Sequence, residues 1–316
     1  MSHSFLRIVG FALLLAFTAG CSSNATLASS RIADFATATQ LAMQNTTTAF
    51  QTVELKHSEM IVARLSVDYE TKGFNPKMVT RFLSPDELAA RAQILTALKH
   101  YAEMLAVIMG NTQLEKFDAQ TKQFGVALAH LKQDLVKTQY LSKNASINDT
   151  EIGIFTTAVN TLGKWFVEWK RERTVREEIS IMQPAIADIA RLLREDIGTS
   201  RQEEEAKAAG LRNELWNTYT DTIQTQDAFI THNWNVLTPN ERREEIRKLT
   251  ALVTERTESD ATLAATRNML QTLVATHQKL VNVFDKHTVE LDGLVSQLIS
   301  EGNRIKIFYD ALSGKK

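Results

Sequence analysis

Cysteine occurs once in the 316 residues, at Cys21, so the chain has no internal disulfide and no cysteine-rich zinc site. Its stability must come from packing. Only four prolines and twelve glycines are present, and helix breakers are correspondingly scarce. No segment alternates apolar and polar residues as a half-buried strand does. No glycine-rich turn joins two β-branched runs, which excludes a hairpin-built sheet. No apolar run of 18 residues follows Cys21, so no transmembrane helix is expected beyond it. Neither sign of charge dominates, with 36 Lys plus Arg against 37 Asp plus Glu. That balance argues against a nucleic-acid partner and against attraction to an acidic lipid surface. Catalytic signatures are missing as well: there is no His-Glu-x-x-His, no Gly-x-Ser-x-Gly and no glycine-rich phosphate loop after a strand. No enzyme activity, cofactor, resident metal or small-molecule substrate is expected.

The N-terminus is where the sequence is specific. Arg7 and the amino group supply positive charge. The ten-residue apolar run "IVGFALLLAF" follows over residues 8–17, and then the small residues Thr18, Ala19 and Gly20. This is the layout of a secretory signal peptide, too short to span a bilayer stably. The stretch "FTAGCSS" at 17–23 places Ala-Gly directly before Cys21. It resembles the lipobox of bacterial lipoproteins, with Thr18 standing where that pattern usually has Leu. The resemblance covers about 25 residues. It implies a diacylglycerol thioether on Cys21, cleavage before it and acylation (palmitate or a similar chain) of the new amino group. Each buried CH₂ contributes about 0.8 kcal/mol, so two or three chains anchor stably where one does not. Ser22, in place of Asp, resembles the choice that sends lipoproteins to the outer membrane. The organisation expected is a signal over 1–20, an anchor and short linker over 21–30, and a helical bundle over 31–316. A subdivision near 142–150 or 231–239 stays open. Without residues 1–20 the chain keeps 35 cations against 37 carboxylates, a balance of −2.

The remainder is rich in Ala, Leu, Thr, Glu, Gln, Lys and Arg, a helical composition. Apolar stripes step by three and four. One runs Leu114, Phe117, Thr121, Phe124, Leu128, Leu131, Leu135. Another runs Ile152, Phe155, Val159, Leu162, Phe166, Trp169. A third passes from Leu263 through Thr266, Leu270, Leu273, His277 and Leu280 to Phe284, and a fourth from Leu291 to Leu312. Such stripes bury against one another in left-handed bundles. The fold class predicted is all-α: an elongated bundle of six to seven long helices with heptad-like packing and no β-sheet.

Capping chemistry marks the boundaries. "LSPDE" at 83–87 and "LTPNE" at 237–241 each place Ser or Thr before Pro, with Glu three residues on. The two boxes lie 154 residues apart, which hints at an internal duplication, although a common capping solution accounts for them equally. Gly110-Asn111 reads as a helix stop. "ETKGFNPK" at 70–77, "SKNASINDT" at 142–150 and "THNWN" at 231–235 read as loops. The helices expected are 27–70, 84–109, 112–141, 149–180, 183–230, 239–284 and 288–312. Pro184 either kinks or separates the fourth and fifth. "GTSRQEEEAK" at 198–207 is either a solvated helix or a break, with Ser200 and Glu203 forming a capping box.

Candidate chemistry is thin. His57 and His277 fall on apolar stripes, and two such residues facing each other would suit a metal or a pH sensor. The plainer expectation is that each satisfies itself in the core. Glu54-x-x-His57 has the spacing used in di-metal bundles, but its second half is absent, since Glu290 follows His287 in reverse order. Trp165, Phe166 and Trp169 before "KRER" suggest either a membrane-interface patch or a core stripe next to a solvated end. The carboxylates in "EEE" (203–205) and "RREE" (242–245) read as solvated. The function expected is a lipid-anchored scaffold or protein-binding adaptor on the periplasmic face of the outer membrane. Its partners would be the membrane and another envelope protein. A membrane-active helical protein and a metal-binding bundle are the alternatives.

Overall fold

A computed structural model describes residues 3–73, 76–109, 157, 175–283 and 289–314. Among them the architecture is all-α, as the composition predicts. Six helices form it: α1 (His3–Lys72), α2 (Pro85–Met109), α3 (Val175–Ile197), α4 (Gly210–His232), α5 (Pro239–Leu280) and α6 (Val289–Leu312). Two single turns of 3₁₀ helix interrupt the connections, at Pro76–Met78 and Glu205–Lys207. No strand occurs among the described residues; one isolated antiparallel bridge joins Thr199 and Ala209. The stripes at 114–135 and 152–169, the aromatic patch, the 142–150 loop, Phe284 and His287 lie outside the described residues.

Helix α1 has 70 residues, about 105 Å at 1.5 Å per residue. It ends at Gly73, whose φ of 64° only glycine adopts without strain. The chain returns antiparallel as α2. Glu54 on α1 accepts the Leu83 N–H at 2.7 Å near the start of α2, and Ser29 Oγ donates to the Met109 carbonyl at its end. The Ser84 box is formed: Glu87 N–H reaches Ser84 Oγ at 3.2 Å, and Ser84 N–H reaches Glu87 at 2.6 Å.

Helix α6 runs parallel to α1. Arg31 holds Asp292 through two bonds of 3.0 and 3.1 Å, and Asn45 Nδ2 donates to the Gly302 carbonyl at 2.9 Å. Small residues let these two backbones approach, and a Cβ on Gly302 would lie only 3.3 Å from Ala42 Cα. Helix α5 lies antiparallel to both and packs along α6, α3 and α4, with a lighter contact to α1. Its stripe is buried from Leu263 to Leu280, as is that of α6 at Leu291, Val295, Leu298, Ile305 and Leu312. Thr262, Thr266 and Thr276 also face inward, each donating its hydroxyl to the carbonyl four residues back. One contiguous core joins all six helices.

Two expectations change here. Helix α3 is continuous through Pro184, so the boundary expected at 180–183 does not exist. Pro184 is on the exposed face, and the Ser180 carbonyl deprived of its helical donor is therefore on the wet side. The helix expected over 183–230 is broken instead at 198–209. Helices α3 and α4 dock one after the other along α5: Gln183 meets His277, Arg212 meets Asp260 and Thr220 meets Arg256. The intervening segment is an excursion whose ends touch. Gly198 and Gly210 both have φ near 70°, and a Cβ on Gly198 would fall 1.9 Å from the Ala209 carbonyl oxygen. Only glycine fits such a closure. The Ser200–Glu203 pair does not cap a helix; Ser200 is fully buried and Glu203 turns to Arg212.

Candidate functional site

Cys21 and Ser22 belong to the backbone of α1, on the segment that precedes the buried stripe beginning at Ala28 and Ile32. No helix of the described residues is long and apolar enough to cross a membrane.

The two stripe histidines are not brought together. His277 on α5 contacts Phe35 of α1, with ring centroids 6.1 Å apart. His57 lies 22 residues beyond Phe35 on α1, about 33 Å along the axis. Each is accommodated separately. His277 is fully buried between Tyr101 of α2, whose hydroxyl is 2.6 Å from Nε2, and Gln183 of α3, whose Oε1 contacts Nδ1. An amide oxygen only accepts, so with Gln183 in this orientation Nδ1 carries the proton and Nε2 accepts from Tyr101. The ring is neutral, and burial pushes its pKa down to about 3. Burial likewise holds the Tyr101 hydroxyl well above the usual tyrosine range. His57 packs against the Phe82 ring with centroids 5.4 Å apart, and burial lowers its pKa to about 4. Its Nδ1 has no hydrogen-bond partner among the described residues.

Glu54 faces the connection to α2, where its carboxylate accepts the Leu83 N–H. Burial raises its pKa, against the lowering effect of that backbone bond. It is therefore occupied as a structural acceptor for the α1–α2 connection. No group of three His, Cys, Asp or Glu side chains among the described residues is placed to hold a metal ion. Glu290 is exposed and bonds Lys279.

Two charged clusters within the bundle have no counterpart in the sequence reading. Arg91 of α2 grips Asp196 of α3 through bonds of 2.8 and 2.7 Å, with side chains 2% and 1% exposed. Burial pushes the Asp196 carboxyl up against the pull of Arg91. Arg212, near the start of α4, holds Asp260 of α5 at 2.9 and 3.0 Å and also bonds Glu203 of the excursion. Together these arginines fasten α2 to α3 and α4 to α5 on either side of the Gly198–Gly210 closure. The signal for them was present: Arg91 sits on the stripe Leu88, Arg91, Leu95, Leu98, and Arg212 on Arg212, Leu215, Tyr219. An arginine at a core register position announces a buried partner without naming it.

No protein family, curated protein or solved structure matches this chain. The functional argument therefore rests on surfaces. Eleven large apolar side chains are strongly exposed among the described residues, and eight of them lie from Leu55 to Val79 or from Trp234 to Val253. Lys56 on α1 bonds Glu255 on α5 at 3.5 Å, so these two stretches share one end of the bundle. That end is opposite residue 21, about 75 Å away along α1. The "RREE" residues at 242–245 belong to it; Arg243 and Glu244 are exposed as expected, whereas Arg242 and Glu245 are half-buried. Their charges are engaged locally: Glu244 with Arg247, Glu245 with Lys248 and Gln226, and Arg242 over the Trp234 ring.

Proposed function

We propose that the protein is a lipid-tethered scaffold of the bacterial cell envelope that presents a binding surface at a fixed distance from its membrane. The observation that carries this reading is α1. One uninterrupted helix runs from the segment containing Cys21 to the end where the exposed apolar side chains gather. A packed helix is stiff over that length, so acyl chains on Cys21 would fix one end while the other stands off. Ser22 favours the outer membrane, with the bundle on its periplasmic face. Arg91 with Asp196, Arg212 with Asp260, and His277 with Tyr101 and Gln183 each join one helix to another, which supports a structural or adaptor role.

The anchor is tested by metabolic palmitate labelling and mass spectrometry of the product. Label on Cys21, lost in Cys21→Ser, is the expected result, and an unmodified thiol would remove the tether. The adaptor role is tested by crosslinking in intact cells followed by purification. A specific envelope protein should be recovered repeatedly, and its recovery should fall when Cys21→Ser releases the chain from the membrane.

A further inference from the structure

Helices α4 and α5 leave the bundle as a pair. Arg212 meets Asp260, Thr220 meets Arg256 and Gln226 meets Glu245, so the two run antiparallel as a hairpin. Ile230 and Leu252 are the last buried residues on its two arms, and none of residues 231–251 between them is buried. At the apex, Val236 is 81% exposed, more than any other large apolar side chain described, and Trp234 is 45% exposed. The apex is also chemically distinct. Residues 228–240 contain no Asp, Glu, Lys or Arg, in a chain of which 23% of residues are charged. The charges resume at Glu241, behind the Thr238 cap, and over residues 241–248 three carboxylates face four cations.

We infer that this apex is a lipid-contacting site, in which Trp234, Val236 and Leu237 enter the headgroup–acyl boundary of a bilayer. Its shape favours a fluid surface. A convex tip meets a rigid protein face at little more than a point, whereas a bilayer closes around it and covers every apolar side chain. Its composition fits as well. Residues 228–240 bring no full charge themselves; the nearest, Arg242 over the Trp234 ring and Glu241 on Thr238, are of opposite sign and would stay among the headgroups. Trp234, with the Arg242 guanidinium 4.6 Å over its ring, combines an apolar body and a polar collar suited to headgroup depth. The nearly balanced charge behind the tip makes the attraction apolar, so it should need no anionic lipid and should resist salt. The inference does not depend on acylation of Cys21, which palmitate labelling reads separately. The bilayer contacted is either the one holding the N-terminus, with the molecule lying along it, or an apposed one.

The test uses the full chain with Trp165, Trp169 and Trp216 replaced by Phe, leaving Trp234 as the sole indole. In one arm it is reconstituted into phosphatidylcholine vesicles with brominated acyl chains. In the other, plain vesicles carrying the protein are mixed with brominated vesicles. Trp234 emission should shift to the blue and be quenched, in the first arm for the same membrane or in the second for an apposed one. The quenching should persist in high salt and without anionic lipid. Val236→Asp, at a position too exposed to affect folding, should weaken vesicle association of the apex about tenfold or more. Circular dichroism should show its helix content unchanged. Absence of quenching in both arms would overturn the inference, as would quenching that Val236→Asp leaves intact or that salt abolishes. A photocrosslinker at position 236 that labels a protein in cells, with no quenching in vesicles, would assign the apex to a protein pocket instead.

Discussion

Arg91 and Arg247 are both arginines on long helices, each beside a carboxylate, and they do opposite things. Arg91 and Asp196 are 2% and 1% exposed and meet at 2.7 Å across two helices. Arg247 and Glu244 are 68% and 59% exposed, meet at 3.3 Å, and sit on the same helix. In the middle of the bundle a charge is isolated from water and must find its partner in another element, so pairing fixes how helices assemble. In the hairpin water does most of the solvating, and a pair of this kind contributes about 0–1 kcal/mol. The same residue types therefore specify architecture in one region and solubility in the other.

Acid should expose this contrast most strongly. His277 and His57 are neutral in the fold, with pKa values lowered to about 3 and about 4 from 6.5. The unfolded chain binds protons at these sites once the pH falls below 6.5, while the folded chain does not. Their contribution is therefore fully present above 6.5 and is lost as the pH falls towards 4 and 3. Each histidine should remove about 1.4 kcal/mol per pH unit over most of its window, and the two together on the order of 5 kcal/mol or more. Glu54, whose pKa is raised, works in the opposite direction. Urea unfolding of the native chain and of His57→Leu across this range isolates the histidine contribution. An equal pH dependence in both would show that burial of His57 has no such consequence.

Next in size are the buried pair and the glycine closure. Arg91→Ala leaves the Asp196 carboxylate unpaired in the core and should cost about 3–5 kcal/mol in chemical denaturation. The double replacement Arg91→Met with Asp196→Leu should recover most of that loss, because an apolar pair leaves no orphaned charge. If the double variant is as unstable as the single, the pair does more than satisfy itself. Gly198→Ala would force a Cβ to within 1.9 Å of the Ala209 carbonyl at a φ that L-residues avoid. It should cost about 3 kcal/mol, from overpacking and left-handed strain together. The exposed equivalent, Glu244→Ala, should change stability by no more than about 0.5 kcal/mol.

What could be read in the sequence follows the same division. Helix periodicity and capping boxes are local, so α2, α5 and α6 begin or end within a few residues of expectation, and the two boxes form as their spacing implies. The core positions of His57 and His277 were legible because an apolar stripe places them. Their separation was not, because it depends on which helices dock at which level. Continuity through Pro184 was ambiguous for a related reason: only the packed structure shows the proline on a wet face. The break at 198–209 had its glycines in view, but nothing local says that Gly198 and Gly210 abut. Arg91 and Asp196, separated by 105 positions, are joined only by the fold. The apex of the hairpin was legible as a loop, and its exposure became apparent only in the fold, where none of residues 231–251 is buried.

The smallest prediction compares the two capping boxes, which use the same chemistry in the two regions. At Ser84 the box sits beside Leu83, which is fully buried and tied to Glu54, so the start of α2 is part of the core. At Thr238 the box is exposed: Glu241 N–H reaches Thr238 Oγ1 at 3.4 Å, and Glu241 accepts the Thr238 N–H at 2.7 Å. Loss of an N-cap costs about 1 kcal/mol in either place. Where that cost registers should differ. Ser84→Ala should lower the global stability by about that amount, because α2 cannot fray without withdrawing Phe82 and Leu83 from the core. Thr238→Ala should leave the global value unchanged and speed hydrogen exchange about fivefold in the first turns of α5 alone, since 1 kcal/mol of local opening costs the bundle nothing. Faster exchange spread throughout α5, reaching the buried stripe at Leu263 and Leu270, would mean that hairpin and bundle open as one unit.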